Sequence, residues 1–309
     1  MPVSVYFQTW SSKWVSVGAM MDLANVPDGV DIVYLSFCMP MCSYLKGSRS
    51  FAGTGLQFSM DFDVVKNAIA ILKSRKIKTM ISVGGATYHY EPSFNQAQTI
   101  RIWDLCVDLG CDGVDIDWES QGISQRQQFV DIINYFHNSR PTSMHLLCAA
   151  CFSVGAFQPS GNPFNGMNIL GLQQAGRYLN WINIMAYDAG GPDMYDVQAA
   201  YEAYKTYYPG LIYIGLEIGP QAWGGDLLKI DQVRKALTIS RGNVFIWSLQ
   251  KPPTGTVSVE DILKEARSLS VVIPPVVVPT PPSTVTTSTK VSCPNCKKDI
   301  SLELTYLPK

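Results

Sequence analysis

The sequence has little net charge and no excess of charge of one sign. Its 309 residues include 24 Lys and Arg against 25 Asp and Glu, which gives a formal net charge of −1 at pH 7. A nucleic-acid-binding chain needs a basic surface, and a disordered acidic chain needs far more acidic residues. The balance therefore argues against both classes, and the 47% hydrophobic content is enough for a large folded core.

Long hydrophobic runs are also missing. No apolar stretch reaches the roughly 20 residues that a membrane-spanning helix requires. The N-terminal residues Met-Pro-Val-Ser-Val-Tyr-Phe lack the basic and apolar regions of a signal peptide. We therefore expect no membrane partner and no leader in the sequence as written.

Residues typical of metal and nucleotide sites are scarce. The three histidines are far apart and form no ligand pattern: His89, His137 and His145. Neither a Walker lysine motif nor a G-x-G-x-x-G turn follows the first predicted strand. The sequence therefore predicts no cofactor, and no metal outside the C-terminal tail.

The eight cysteines divide into two groups. Six lie mostly in apolar runs, so we expect them to be reduced core residues: Cys38, Cys42, Cys106, Cys111, Cys148 and Cys151. The other two form a Cys-x-x-Cys spacing near the end, at Cys293 and Cys296. Two thiolates are half of the usual zinc ligand set. A metal shared between two tails, a local disulfide and a free tail all stay open.

Apolar β-rich segments alternate with helical segments through most of the chain. The predicted strands cover residues 3–10, 31–37, 78–83, 112–119, 145–152, 181–186, 212–216 and 244–247. The predicted helices cover residues 63–74, 95–109, 124–137, 197–208, 231–239 and 259–269. Such alternation indicates a parallel sheet, and eight strands are the number that closes a (β/α)8 TIM barrel. An open doubly wound sheet is the alternative, but its phosphate-binding glycine turn is absent.

The domain prediction follows from composition. The connection between the seventh and eighth strands is short, so we expect a barrel without a large insertion domain and with an open, shallow groove. Residues 272–290 are rich in Pro and Thr, which is typical of an extended linker. We therefore expect a catalytic barrel over residues 1–271, this linker, and a short tail over residues 291–309. We expect a monomer, with association through the tail as the alternative.

The segment Asp112–Glu119 combines a strand pattern with four acidic side chains, which buried strands avoid unless they have a use for them. The period of two puts Asp115, Asp117 and Glu119 on one face, so their carboxyls can shift one another's pKa. We predict that Glu119 is a general acid whose pKa is raised by Asp117 and by partial burial. Asp115 would hold Asp117 in place, and Asp112, on the opposite face, would be structural.

Two other interpretations of this segment were weighed. The spacing is similar to the start of an EF-hand calcium loop, but Ser120 stands where that loop needs glycine and Arg126 where it needs glutamate. A purely structural acidic cluster is disfavoured because three carboxyls that face one buried space repel one another. Catalysis is therefore the favoured interpretation.

The same residues resemble a known family. The segment from Asp112 to Glu119 is similar to the Asp-x-x-Asp-x-Asp-x-Glu motif of glycoside hydrolase family 18, the chitinases and their relatives. Three further segments resemble the family's motifs in the same order: Tyr6-Phe-Gln-Thr-Trp10, Ser82-Val-Gly-Gly85 and Met185-Ala-Tyr-Asp188. Trp247 resembles the last-strand tryptophan that forms the floor of the sugar subsite. The resemblance extends over about residues 3–269.

The resemblance implies retaining hydrolysis of β-linked N-acetylglucosamine polymers without an enzyme nucleophile. Glu119 would protonate the glycosidic oxygen, Asp117 would orient the substrate's acetamido group, and Tyr187 would bind its carbonyl. The candidate sugar-binding residues are Trp247, Asp188, Met185, Tyr6, Trp10, Gly85 and, more weakly, Trp223. Asp188 could equally be a strand-end cap, Gly85 could serve only the turn, and Trp247 could belong to the core. Glu217 is expected either to line the groove or to be a surface acid.

The resulting prediction is an endo-acting chitinase whose partner is chitin or an N-acetylglucosamine-containing oligosaccharide. The Pro/Thr linker and the family suggest extracellular action. An endo-β-N-acetylglucosaminidase on N-glycans, or a peptidoglycan-directed relative, is the first alternative. A non-catalytic chitin-binding lectin is the second, and it is disfavoured because silent members typically lack the acid at the Glu119 position.

Overall fold

The computed structural model describes residues 2–119, 122–188, 196–222, 227–255 and 257–270, together with the backbone of residues 285–292 and 299–306. Two compact units are present, Met1–Val272 and Ile273–Lys309. The first holds all of the predicted site residues.

Eight parallel strands close into a barrel in chain order, which confirms the predicted (β/α)8 TIM barrel. The strands are β1 Val3–Gln8, β2 Val30–Cys38, β3 Lys78–Gly84, β4 Gly113–Asp117, β5 Leu146–Phe152, β6 Trp181–Met185, β7 Leu211–Glu217 and β8 Val244–Trp247. The helices are α1 Phe62–Ser74, α2 Gln96–Leu109, α3 Arg126–Ser139, α4 Ile169–Ala175, α5 Val197–Tyr207, α6 Ile230–Ile239 and α7 Val259–Ser270. Each of the strands β2 to β8 is followed by a helix, whereas short 3-10 turns connect β1 to β2.

The core has two layers, and β4 contributes to both. Its outward side chains Val114 and Ile116 are fully buried in the layer between strands and helices, together with Trp118 just beyond the strand. The Trp118 ring stacks on Phe129 of α3 with centroids 5.0 Å apart. Asp115 and Asp117 occupy the other parity, as the period of two requires. The acidic face of β4 therefore points into the barrel.

Helix α4 has no counterpart among the predicted helices, because it is short and contains a glycine, which lowers helix propensity. Gly171 is required by packing: a Cβ there would lie 2.2 Å from the ring of Phe129. The close approach of α4 to α3 thus depends on the residue that weakens the helical pattern.

The connection between β7 and β8 contains only the helix α6 within the described residues, so the predicted absence of a large insertion domain is confirmed. Among the described helices, none is long and apolar enough to cross a membrane. All six cysteines of the barrel are unpaired and buried, as predicted.

The second unit contains an antiparallel strand pair, β9 Val285–Ser292 and β10 Asp299–Tyr306. Strand β9 begins within the stretch that composition assigns to the linker. Its Val and Thr residues favour extended structure, so the Pro/Thr composition and the strand are compatible. Cys293 and Cys296 lie outside the described residues, and the predicted division into linker and tail stays a prediction.

Candidate active site

The predicted site residues converge at the carboxyl ends of the barrel strands, where barrel enzymes hold their catalytic groups. Asp117 ends β4, and Glu119 follows two residues later. Tyr187 and Asp188 follow β6, and Trp247 ends β8. Strand closure therefore brings together groups that are up to 130 residues apart in the sequence.

Asp115 is anchored deep in the barrel by four hydrogen bonds. The Tyr6 and Ser82 hydroxyls both donate to Oδ2 at 2.8 Å. The Cys148 thiol donates to Oδ1 at 3.2 Å and the Asn183 amide to the same oxygen at 3.5 Å. Burial raises the pKa of the Asp115 carboxyl, while the hydrogen bonds from Ser82, Tyr6 and Cys148 oppose the rise. None of the four bonds goes to Asp117, so within the described residues the influence of Asp115 on Asp117 is electrostatic.

Asp117 is held by its backbone rather than by its side chain. The Gly85 amide donates to the Asp117 carbonyl at 2.9 Å, and a Cβ at Gly84 would lie 2.1 Å from that same oxygen. The side chain is 3% exposed, and its Oδ1 has no hydrogen-bond donor among the described residues. Burial raises the pKa of Asp117 well above its ordinary value, and the charges of Glu119 and Asp115 add to the rise. An unfilled acceptor thus lies at the bottom of the site.

Glu119 combines partial burial with a pKa near neutrality. Burial raises its pKa to about 7 and the charge of Asp188 adds to this, while a hydrogen bond from the Ala86 backbone opposes it. The predicted pKa increase is present; the Glu119 and Asp117 charges act on one another, as expected, and Asp188 is a further acidic neighbour. Sequence separation concealed this neighbour, because Asp188 belongs to the end of β6.

Tyr187 faces the same space from β6. Burial raises the pKa of its hydroxyl well above its ordinary value, followed by the charges of Asp117, Glu217, Glu119 and Asp188. Its ring meets Phe245 edge-on with centroids 5.9 Å apart. Met185, two residues earlier, packs with Tyr187 against the aromatic layer inside the barrel. A phenol that stays protonated next to several carboxyls can donate a hydrogen bond to a ligand.

Aromatic rings form a row beside the carboxyls. Phe37 lies between Trp10 and Trp247, stacked on both with centroids 6.1 and 5.5 Å apart. Tyr6 meets Trp247 edge-on at 5.7 Å. Trp10 is 44% exposed, so the row continues from the barrel interior to the surface. Phe37 was missed by the sequence analysis, although its position at the end of the second predicted strand is the signal that could have identified it.

The two glycines after β3 allow this arrangement. Gly84 and Gly85 have φ values of +111° and +78°, which side-chain-bearing residues rarely adopt. A Cβ at Gly85 would meet the ring of Phe37 at 3.1 Å. Gly85 therefore contacts both the aromatic row and the Asp117 backbone, and its contribution to the site is steric.

A second charged cluster lies at the ends of β6, β7 and β8. Glu217 ends β7 and is 2% exposed, so its interpretation as a surface acid was wrong. The Lys251 ammonium donates to Glu217 Oε1 and, at 3.2 Å, to the Pro220 carbonyl. The Asp188 carboxyl lies beside Glu217, and its backbone amide donates to Gln221 at 2.7 Å. Burial raises the pKa of Glu217 to about 7, and the hydrogen bond with Lys251 opposes this.

Other predicted residues lie apart from these contacts. Asp112 Oδ2 accepts a bond from the Thr79 amide at 2.9 Å, which ties β4 to β3 and agrees with its predicted structural role. Trp223 lies outside the described residues. In the part of the chain that the structure describes, no three His, Cys, Asp or Glu side chains are grouped so that they could hold a metal ion.

Comparison with known proteins gives the family and the fold. The sequence profile described as Glycosyl hydrolases family 18 matches residues 3–250. Chitinase 1 of Aphanocladium album is 30% identical in an alignment of 146 residues that covers 42% of this chain and 34% of that enzyme. A putative chitinase A from Streptomyces coelicolor is 19% identical with a TM-score of 0.63, covering 88% of this chain and 98% of that one. Human YKL-39, a pseudo-chitinase with retained chitooligosaccharide binding, is 12% identical with a TM-score of 0.62, covering 87% and 99%.

These matches carry different weight. At the identities of the two solved structures the likeness concerns the fold alone, and the alignment with the Aphanocladium enzyme spans 34% of that protein. The family profile, in contrast, matches most of this chain, including every strand of the barrel. The chain therefore belongs to glycosyl hydrolase family 18.

Proposed function

We propose that this protein hydrolyses β-linked N-acetylglucosamine polymers, with chitin or chitooligosaccharides as substrates and cleavage within the chain. The observation that carries the proposal is the pair formed by Glu119, with a pKa of about 7, and Asp117, with an unfilled acceptor oxygen. The first can donate a proton at neutral pH, and the second can accept a hydrogen bond from a substrate N–H.

The chemistry that fits this pair is substrate-assisted. The Glu119 carboxyl gives its proton to the glycosidic oxygen as the bond from that oxygen to C1 breaks. The carbonyl oxygen of the substrate's acetamido group attacks C1 and forms a cyclic oxazolinium ion. Glu119, now a carboxylate, takes a proton from water as the water oxygen attacks C1 and reopens the ring. Two inversions at C1 give retention of configuration.

Asp117 and Tyr187 would act on the acetamido group. Asp117 Oδ1 is buried without a donor, and an unsatisfied buried acceptor costs about 1–3 kcal/mol. An acetamido N–H that donates to this oxygen would remove that cost and orient the carbonyl towards C1. The positive charge of the oxazolinium ring would favour the ionised form of the Asp117 carboxyl, and that carboxylate would offset the charge. The Tyr187 hydroxyl, which burial and then the surrounding carboxyls keep protonated, would hydrogen-bond the acetamido carbonyl.

The aromatic row supports a sugar as the ligand. Pyranose rings present flat C–H faces that pack on aromatic side chains. Trp247 ends β8 beside the carboxyls, and Trp10 continues the row to the surface through Phe37. A row of rings that extends from Trp247 to the exposed Trp10 can contact more than one sugar unit, which favours an oligosaccharide or polymer over a single sugar.

The proposal can be tested by incubating the protein separately with colloidal chitin, chitohexaose and a high-mannose glycoprotein, with mass spectrometry of the products. We expect short N-acetylglucosamine oligosaccharides from the first two and no change in the third. Release of the glycan from the glycoprotein, with no products from the other two substrates, would identify N-glycans as the substrate instead of chitin. Oligosaccharide binding without any hydrolysis would identify a lectin, and the Glu119→Gln variant gives the background rate for every reaction.

A further inference from the structure

The charged cluster after β6, β7 and β8 has no part in the proton transfers described above. It contains the buried Glu217, its partner Lys251 and the neighbouring Asp188. A buried charge is costly unless it is paired, so a buried acid and a lysine at this end of the barrel need a reason. The Asp188 charge acts on both Glu217 and Glu119, so this cluster is electrostatically connected to the proposed acid.

We propose that Glu217 and Lys251 form a positioning pair that fixes the charge around Asp188 and, through Asp188, controls the pH at which Glu119 releases its proton. The relevance of this control to turnover rests on the proposed role of Glu119 as the acid. The control itself is a property of the folded protein and can be measured without substrate.

The geometry gives the direct argument. Lys251 donates to Glu217 Oε1 and to the Pro220 carbonyl, so its ammonium is held by two contacts from the loop after β7. Asp188 has a φ of +53°, and its amide donates to Gln221 at 2.7 Å, so its backbone is fixed to the same loop. Asp188 therefore has a constrained backbone, and its charge acts both on Glu217 of the pair and on Glu119.

The charged and titratable groups that face this cluster come from four strand ends. Asp117 ends β4 and Glu119 follows it, Tyr187 and Asp188 follow β6, Glu217 ends β7, and Lys251 follows β8. Among the described residues that shift the pKa of Glu119, Tyr187 or Glu217, Lys251 is the only cation. Its charge is offset by Glu217, while the Asp188 charge acts on Glu119.

Removal of the Glu217 charge leaves Lys251 without its partner. In Glu217→Gln the ammonium would act directly on Asp188, by drawing its carboxylate away from Glu119 or by offsetting its charge. Both effects favour the ionised form of Glu119, so its pKa falls. One uncompensated charge that acts through an effective dielectric constant of about 20 to 40 is expected to lower the Glu119 pKa by about half a unit or more.

The double variant Glu217→Gln/Lys251→Met distinguishes electrostatics from packing. It replaces a paired acid and base by a neutral pair of similar volume, so the charge near Asp188 returns to its original balance. The Glu119 pKa should return to within about 0.2 unit of the wild-type value. Loss of packing alone would leave the double variant as disturbed as the single one, or more so.

The measurement is a carbon-13 NMR titration of glutamate carboxyls in the full chain, with the Glu119 signal assigned from its absence in Glu119→Gln. Lys205→Met, which removes an exposed lysine near the end of α5, is the matched charge control and should leave the titration unchanged. A fall in Glu217→Gln with recovery in the double variant supports the proposal. An unchanged pKa in Glu217→Gln, or no recovery, overturns it.

Two further arms keep the outcome decisive. If circular dichroism shows that Glu217→Gln does not fold, the Glu119 titration is compared between Lys251→Arg and Lys251→Met. Arginine keeps the charge and should preserve the Glu119 pKa of the wild type. A Glu119 pKa that is displaced equally in Lys251→Arg and Lys251→Met would overturn the proposal. If the variants show these shifts in the Glu119 pKa but the wild-type protein does not cleave chitohexaose, the proposed function is contradicted and the charge control remains supported.

Discussion

At the residue scale, the behaviour of the site depends on how burial distributes protons among its carboxyls. Asp115 has four donors, Asp117 has an unfilled oxygen, and Glu119 has a pKa of about 7. Each residue differs from the others in solvation and hydrogen bonding, although all three stand on one face of one segment. That difference is what allows three neighbouring carboxyls to have different roles.

Replacement of the acid gives the first prediction. Glu119→Gln keeps the shape of the side chain but cannot donate a proton to the leaving oxygen. General acid catalysis contributes about 10²–10⁴-fold, so kcat on chitohexaose should fall by at least that range. Oligosaccharide affinity, measured by calorimetry, should change less than about threefold. A variant that retains full activity would remove Glu119 from the mechanism.

Asp117→Asn gives a second prediction with a different signature. An amide can still contact the acetamido group, but it cannot offset the positive charge of the oxazolinium ion. We expect kcat to fall by about 10²–10³-fold, with a smaller change in KM, because the lost interaction develops in the transition state. An increase in KM at constant kcat would instead indicate simple ground-state binding.

The raised pKa of Glu119 predicts a pH-dependent stability. Burial raises this pKa from an ordinary 4.5 to about 7. At pH 4 the carboxyl is therefore neutral in the folded state, and its full contribution to the free energy of unfolding is present. As the pH rises through 7, the ionised form is buried at a cost and stability is lost. Glu119→Gln should therefore be more stable than the wild type by about 1–3 kcal/mol at pH 8 and equal to it at pH 4. Urea unfolding at the two pH values measures this difference, and an equal effect at both would contradict it.

At the element scale, β4 was the part of the chain most accurately predicted. The period of two determined which of its side chains point into the barrel, and the structure has the same parity. What the sequence could not provide was the set of neighbours from other strand ends. Phe37 and Lys251 were missed, and Glu217 was named without its partner, because each belongs to a different strand end and only barrel closure brings these ends together.

The turn after β3 gives a prediction at this scale. A Cβ at Gly84 would lie 2.1 Å from the Asp117 carbonyl, in addition to the strain of a φ of +111°. Gly84→Ala should destabilise the fold by about 2–4 kcal/mol, because it combines a steric clash with backbone strain. Gly110→Ala is the matched control, since its φ is +83° but a Cβ there has nothing within 4 Å.

Gly110→Ala should therefore cost only about 1 kcal/mol. Thermal and chemical unfolding of both variants gives the comparison. Equal losses would mean that backbone strain, rather than contact with the acidic strand, explains the glycine.

At the scale of the whole molecule, the fold class followed from the sequence because eight strand–helix repeats admit few closed arrangements. The second unit did not follow in the same way: composition indicated a linker where β9 begins. Pro and Thr are common both in extended linkers and at sheet edges, so composition alone could not separate the two.

The division into two units predicts that the barrel is sufficient for the chemistry. A chain that ends after Ser270 keeps every strand and helix of the barrel and every described group of the site. Its kcat/KM on chitohexaose should lie within about twofold of the full chain, because no described barrel residue is removed. A loss of folding or activity greater than about tenfold would show that the C-terminal unit contributes to the barrel.

The central claim is that Glu119 acts as acid and then as base while the substrate's own acetamido group attacks C1. The anomeric configuration of the first products tests it most directly, by proton NMR of chitohexaose hydrolysis before mutarotation. The account predicts β-anomeric products from the wild type and no products above background from Glu119→Gln. Initial α-anomeric products would indicate direct attack of water and would contradict the account.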